Sequence, residues 1–176
     1  MYAKNDIIAA LLTNYEDFAA QVRNTPKAKF DYSHNGKWSV GQNLDHLIRA
    51  VKPLNLAFAL PKLALRLLFG QPRTPNSRSY DEIIALYQAK LAKGALASGR
   101  FVPPTIKPND KDKLLQTYIK QHDLLEKKLQ KYADEDLDKY RLPHPILGKL
   151  TLREMLFFTI YHTQHHAQTL KNYPKP

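Results

Sequence analysis

Three of the chain's seven histidines fall within one six-residue run, Tyr161-His162-Thr163-Gln164-His165-His166. That spacing suits a metal ion. If residues 151–172 form a helix, Leu152, Met155, Thr159, His162, His166 and Thr169 recur at steps of three and four and share one face. His162 and His166 then stand one turn apart on the interior side and can aim two ring nitrogens at one point. A packed imidazole needs partners for both nitrogens, and an ion satisfies one on each ring. The i, i+3 pair His162 and His165 is the geometric alternative, on a less apolar seam shared with Tyr161 and Phe158. Thr163 stands where a His-Glu-x-x-His peptidase carries its glutamate, so that chemistry is excluded. An HxxxH pair alone is more often structural than metal-binding, and a third ligand decides the matter.

The remaining composition limits what that ligand is. The chain has no cysteine, so disulfides, thiolate ligands and a cysteine nucleophile are excluded, and any metal is held by nitrogen and oxygen. Its 176 residues suffice for one domain with a sizeable core, expected to span residues 1–176. The first ten residues lack the apolar run and cleavage site of a signal peptide, and the most apolar stretch, 54–69, is broken by Pro61, Lys62 and Arg66. A cytoplasmic protein without membrane spans is expected. The net charge of +11 is uneven, because residues 49–100 hold nine Lys and Arg against Asp81 and Glu82. Such a field attracts nucleic acid or an anionic membrane surface, yet no nucleic-acid motif accompanies it.

Helical periodicity supplies the scaffold. Residues 5–23 carry Ile7, Ile8, Leu11, Leu12, Tyr15, Phe18, Ala19 and Val22 on one stripe. A polar connector with His34 follows, and Ser39-x-x-Gln42 caps a second helix with the stripe Leu44, Leu47, Ile48 and Val51. His46 lies off that stripe, so periodicity alone places it at the surface. Pro53 and Pro61 should kink or break the chain, leaving 52–70 as a bent continuation or a short separate helix. Ser79-x-x-Glu82 starts a further helix to about Ala97, stopped by Gly99. Residues 100–108 read as a proline-rich connector. From 110 to about 131 a helix places Leu115, Tyr118, His122, Leu125 and Leu129 inward, making His122 another interior histidine. Residues 133–150 read as a loop, and Thr151-x-x-Glu154 caps the last helix, with Leu150 and Met155 as a staple. No strand alternation is evident, so the expected fold is all-α, a four-helix bundle with an additional helix between its second and third bundle helices.

Three signatures now stand in order: Trp38-Ser39 with Leu44-Asp45-His46-Leu47, then His144-Pro145-Ile146-Leu147-Gly148-Lys149-Leu150-Thr151, then His162-x-x-His165-His166-x-Gln168. Together they resemble the DinB-like (YfiT-type) superfamily of metal-dependent enzymes, over nearly the whole chain. The resemblance implies a divalent metal, usually zinc or nickel, held by one histidine of the second helix and two of the last: His46, His162 and His166. It also implies a hydrolase or a small-thiol transferase. The helix at 79–97 and the basic middle region depart from the minimal bundle. Three neutral imidazoles leave a coordination position open, as catalytic sites do. Asp45, Gln42, Asn43 and Gln168 are near enough in sequence to orient the ligands. The expected partners are a small-molecule substrate and a second copy of the chain as a homodimer, with nucleic acid or membrane contact disfavoured. The rival class is a non-catalytic protein that uses the basic region to bind nucleic acid or an anionic membrane.

Overall fold

The computed structural model describes residues 2–33, 36–72 and 76–173, so His34 and Pro75 lie outside the described residues. Seven helices follow in order: α1 (Lys4–Asn24), α2 (Val40–Ala57), α3 (Lys62–Phe69), α4 (Tyr80–Ala92), α5 (Lys111–Leu129), α6 (Asp136–Lys139) and α7 (Leu152–Lys171). The bundle consists of α1, α2, α5 and α7. Both α1 and α2 pack on α5 and α7, so these two consecutive helices take opposite corners. The additional helix α4 lies on the outside of α7.

The three capping boxes form as their sequences require. Ser39 Oγ accepts from Gln42 N at 3.2 Å while Gln42 Oε1 accepts from Ser39 N at 3.0 Å. Equivalent reciprocal bonds join Ser79 to Glu82 and Thr151 to Glu154. Each box satisfies amides that a helix start otherwise leaves open. Behind the first box, a Cβ on Gly41 would sit 2.9 Å from side-chain atoms of both Phe30 and Ile106, so only glycine lets α2 approach them this closely.

Several expectations are corrected. Pro53 lies inside α2 without ending it, whereas Pro61 caps a separate α3. α4 stops at Ala92, earlier than expected, because Gly94 takes a left-handed φ of 83° that reverses the chain before Gly99. Residues 133–150 are not a plain loop. They hold α6 and the first strand of a hairpin, β1 (Arg141–His144) with β2 (Gly148–Thr151), antiparallel with Leu142 opposite Leu150. Four-residue strands are too short to show alternation, and the buried pair Leu142 and Leu150 marks their inner face.

Two apolar clusters make the core. One collects Ile7 to Leu11, Val51 to Phe58, Leu125, Leu129 and the first half of α7 with the hairpin. The other joins Tyr15 to Val22 with Val40 to Ile48, Leu115, Tyr118 and Ala167. On α5, His122 falls between Tyr118 and Leu125, and on α7, His162 and His166 fall between Ile160 and Ala167. The interior histidines therefore form a polar layer between the two clusters.

The register of α7 is fixed at its start by Arg153, which is 1% exposed. Its Nε and Nη2 donate to the two Asp138 oxygens at 2.8 and 2.9 Å, Nη1 and Nη2 reach the Asp134 carboxylate at 3.4 and 3.2 Å, and further bonds reach the carbonyls of Tyr2 and Asp134, both at 2.8 Å. Arg153→Ala would remove a buried cation that joins Asp138, Asp134 and two carbonyls, although Asp134 is half exposed and Asp138 keeps its bond from Ser77. We expect a loss of about 2 kcal/mol, less than for a fully buried pair because the carboxylates reach water, with Arg153→Lys intermediate because it lacks the fork. Urea unfolding checks this, and a loss below about 1 kcal/mol for the alanine variant would contradict it.

Candidate metal centre

His46, His162 and His166 come together although 116 residues separate the first two. His162 Nε2 lies 3.1 Å from His46 Nε2 and 3.1 Å from His166 Nε2. All three atoms fall within 4.8 Å of one another, and the three residues are 5%, 5% and 7% exposed. His46 is thus interior, against its periodicity, because α2 is enclosed on nearly every side from Asn43 to Ile48.

The far nitrogens decide the protonation of the near ones. His46 Nδ1 donates to the Phe101 carbonyl at 2.7 Å. His166 Nδ1 donates to Asn43 Oδ1 at 2.6 Å. Asn43 is oriented for this, since its Nδ2 donates to the carbonyls of Trp38 and Ser39 at 3.0 and 2.8 Å. A neutral ring with Nδ1–H carries a bare Nε2. Two bare nitrogens therefore face His162 Nε2, and one proton there serves only one of them. Burial chiefly, with the neighbouring imidazoles, holds His162 and His166 well below the ordinary 6.5; burial also lowers His46, although its bond to Phe101 opposes the shift. Neutral, converging, underprotonated imidazoles are what a cation requires. Ligands about 2.1 Å from a tetrahedral zinc lie about 3.4 Å apart, close to two of the separations here. The donor set fits a divalent cation.

Trp38 closes one side, its ring centroid 4.8 Å from that of His46 and nearly parallel to His166 at 6.2 Å. On the other side, Phe158 stacks on His162 at 4.8 Å. His165 is partly exposed, and its ring turns toward Tyr87 and Tyr161, each at 6.3 Å. It does not join the cluster. His122 stacks on Tyr15 at 5.0 Å and also stays outside. Of the orienting residues expected, Asn43 alone serves. Gln42 caps α2, Asp45 pairs with Arg49, and Gln168 is exposed and bonded to Asn172. The Phe101 carbonyl had no signal in the sequence, because any residue type supplies one.

A cavity of about 750 Å³ opens beside the cluster, with His46 and His162 in its wall and His166 behind them. His122 and His144 also line it. Both are pushed down to about 4 by burial. His144 Nδ1 accepts from the amides of Ile146 and Leu147 at 3.2 and 3.1 Å, so its neutral ring carries the proton on Nε2. That N–H has no protein partner among the described residues.

Residues 10–170 match the model of the DinB superfamily, and the chain belongs to that superfamily. Among solved structures it is similar to YfiT from Bacillus subtilis, described as a probable metal-dependent hydrolase with an unusual four-helix bundle topology. The TM-score is 0.58 at 23% identity, over 96% of this chain and 83% of that one. No curated protein matches the sequence.

Burial that favours neutral His122 and His144 makes stability depend on pH. As pH falls below 6.5 the unfolded chain takes up protons first, so stability that is complete above 6.5 declines toward about 4, where the folded rings protonate. Urea midpoints of chelated protein should fall steadily between pH 7 and pH 5. A midpoint constant over that range would contradict the neutral, buried state of these rings.

Proposed function

We propose that this chain is a metal-dependent hydrolase, with His46, His162 and His166 holding one zinc or nickel ion. The convergence of three Nε2 atoms, two of them left bare by bonds at the opposite nitrogen, carries this reading. YfiT's description as a probable metal-dependent hydrolase agrees with it. When bound, an ion with three neutral ligands and an open position acts as a Lewis acid, under which water ionises near neutral pH. The chain's own residues do the rest. Phe101 and Asn43 hold two rings in the ligating tautomer, Trp38 and Phe158 exclude water from two sides, and His144 offers its Nε2–H to a substrate oxygen. Small-thiol transfer is the second reading, favoured by one observation: no Asp or Glu lines the cavity. A metal-bound thiol is already deprotonated and needs no carboxylate base.

Protein purified without a histidine tag should bind one zinc or nickel ion per chain and melt at a higher temperature when loaded, its stability raised by about 2.7 kcal/mol with free metal at about a hundred times Kd. His46→Ala, His162→Ala and His166→Ala should each lose the ion on dialysis. His165→Ala should retain it, because that ring meets His166 edge-on and its nitrogens do not converge with the other three. Loss of metal from His165→Ala with retention in His166→Ala would refute the ligand set. The loaded protein should hydrolyse chromogenic esters, whereas turnover only with an added thiol would select the second reading.

A further inference from the structure

The cavity beside the histidines is built for a molecule with a tail. Most of its wall is apolar, with Leu54, Leu60, Phe69, Leu91, Met155 and Phe158 among its residues, while Ser98, Arg100, His122, His144, Thr159 and Thr163 add polar groups beside His46 and His162. Its volume of about 750 Å³ sits in the upper part of the range of about 300–1,000 Å³ that small-molecule sites span. Leucines continue the apolar wall into solvent, for Leu56 and Leu96 line the same cavity and are 71% and 81% exposed. The helix α3 runs between two lining residues, Leu60 and Phe69, and leaves Leu63, Leu67 and Leu68 exposed as well. Five of the nine large exposed apolar side chains among the described residues thus fall between 56 and 96. Exposed leucines at the rim of an apolar cavity, as Leu56 and Leu96 are, suit a binding site.

The charge along this stretch is mainly positive, nine Lys and Arg over residues 49–100 against Asp81 and Glu82. Arg100 is in the cavity wall and exposed, and no Asp or Glu lines the cavity. Lys52, Arg66, Lys90 and Lys93 are exposed nearby in sequence and form no ion pair among the described residues. An apolar channel with Arg100 and imidazoles in its wall matches an anionic amphiphile.

We propose that the cavity binds a single-chain aliphatic molecule whose polar head reaches His46 and His162 and whose hydrocarbon chain extends along the apolar wall to Leu56 and Leu96. The head-group contact rests on the metal-enzyme reading above. The chain contact rests on the cavity alone.

Calorimetry with straight-chain carboxylates from hexanoate to dodecanoate, each below its micelle-forming concentration, separates the two. Affinity should rise about threefold per methylene, on the order of 100-fold from octanoate to dodecanoate. Zinc loading should raise every member by a similar factor and leave the slope unchanged. The rim variant Leu56→Gln/Leu96→Gln, at two exposed positions that do not endanger folding, should weaken dodecanoate several-fold more than hexanoate. The control Leu124→Gln, at an exposed position on α5 outside the cavity, should change nothing. Affinity independent of chain length, or equal losses in rim and control variants, would overturn the proposal even if zinc binds. A preserved slope with no effect of zinc would uphold the chain contact and overturn the head-group contact, while zinc content per chain tests the metal reading on its own.

Discussion

Three imidazole nitrogens aimed at one another, at least two of them without a proton, are a constraint that a protein interior resists. Each bare Nε2 is an acceptor withdrawn from water, and leaving one unsatisfied costs about 1–3 kcal/mol. The arrangement persists because the opposite nitrogens of His46 and His166 are tied to Phe101 and Asn43, so neither ring can exchange tautomers without breaking a buried bond. A divalent cation between them turns this repulsive geometry into an attractive one. With a cation held there, stability and metal binding would be linked.

The rest of the structure holds that geometry. Two apolar clusters pack around the histidine layer in the bundle interior. The Ser39 box and the close approach at Gly41 fix where α2 begins, and so where Asn43 and His46 project. At the other side of the site, Glu154 receives the backbone N–H, Nε and Nη2 of Arg78, with Thr151 N, while Arg153 is clamped by Asp138. Burial would raise the Glu154 carboxyl, but these bonds outweigh it and hold it below its ordinary 4.5. Those anchors lie at the N-terminus of α7, and the rigid helix carries their precision to His162 and His166.

Much of this was legible in the residues. Heptad spacing put His162 and His166 on an interior seam, and all three capping boxes form where S/T-x-x-E/Q predicted them. His46 shows what periodicity misses. A one-dimensional stripe describes a helix with one buried face, but α2 is enclosed between α5, α7 and the 99–101 turn, so a position opposite Leu44 is interior too. Only the likeness to the DinB-like pattern picked it out. The Phe101 carbonyl and the hairpin register depend on tertiary placement of short segments, where side-chain type carries little information.

The tautomers of His46 and His166 are the point on which the account turns, and long-range proton–nitrogen correlation spectra of the chelated protein read them directly. Both rings should show a protonated Nδ1 and a bare Nε2. One equivalent of zinc should then shift the Nε2 resonances of His46, His162 and His166 together. Protonated Nε2 atoms on His46 and His166, or zinc-induced shifts centred on other histidines, would contradict it.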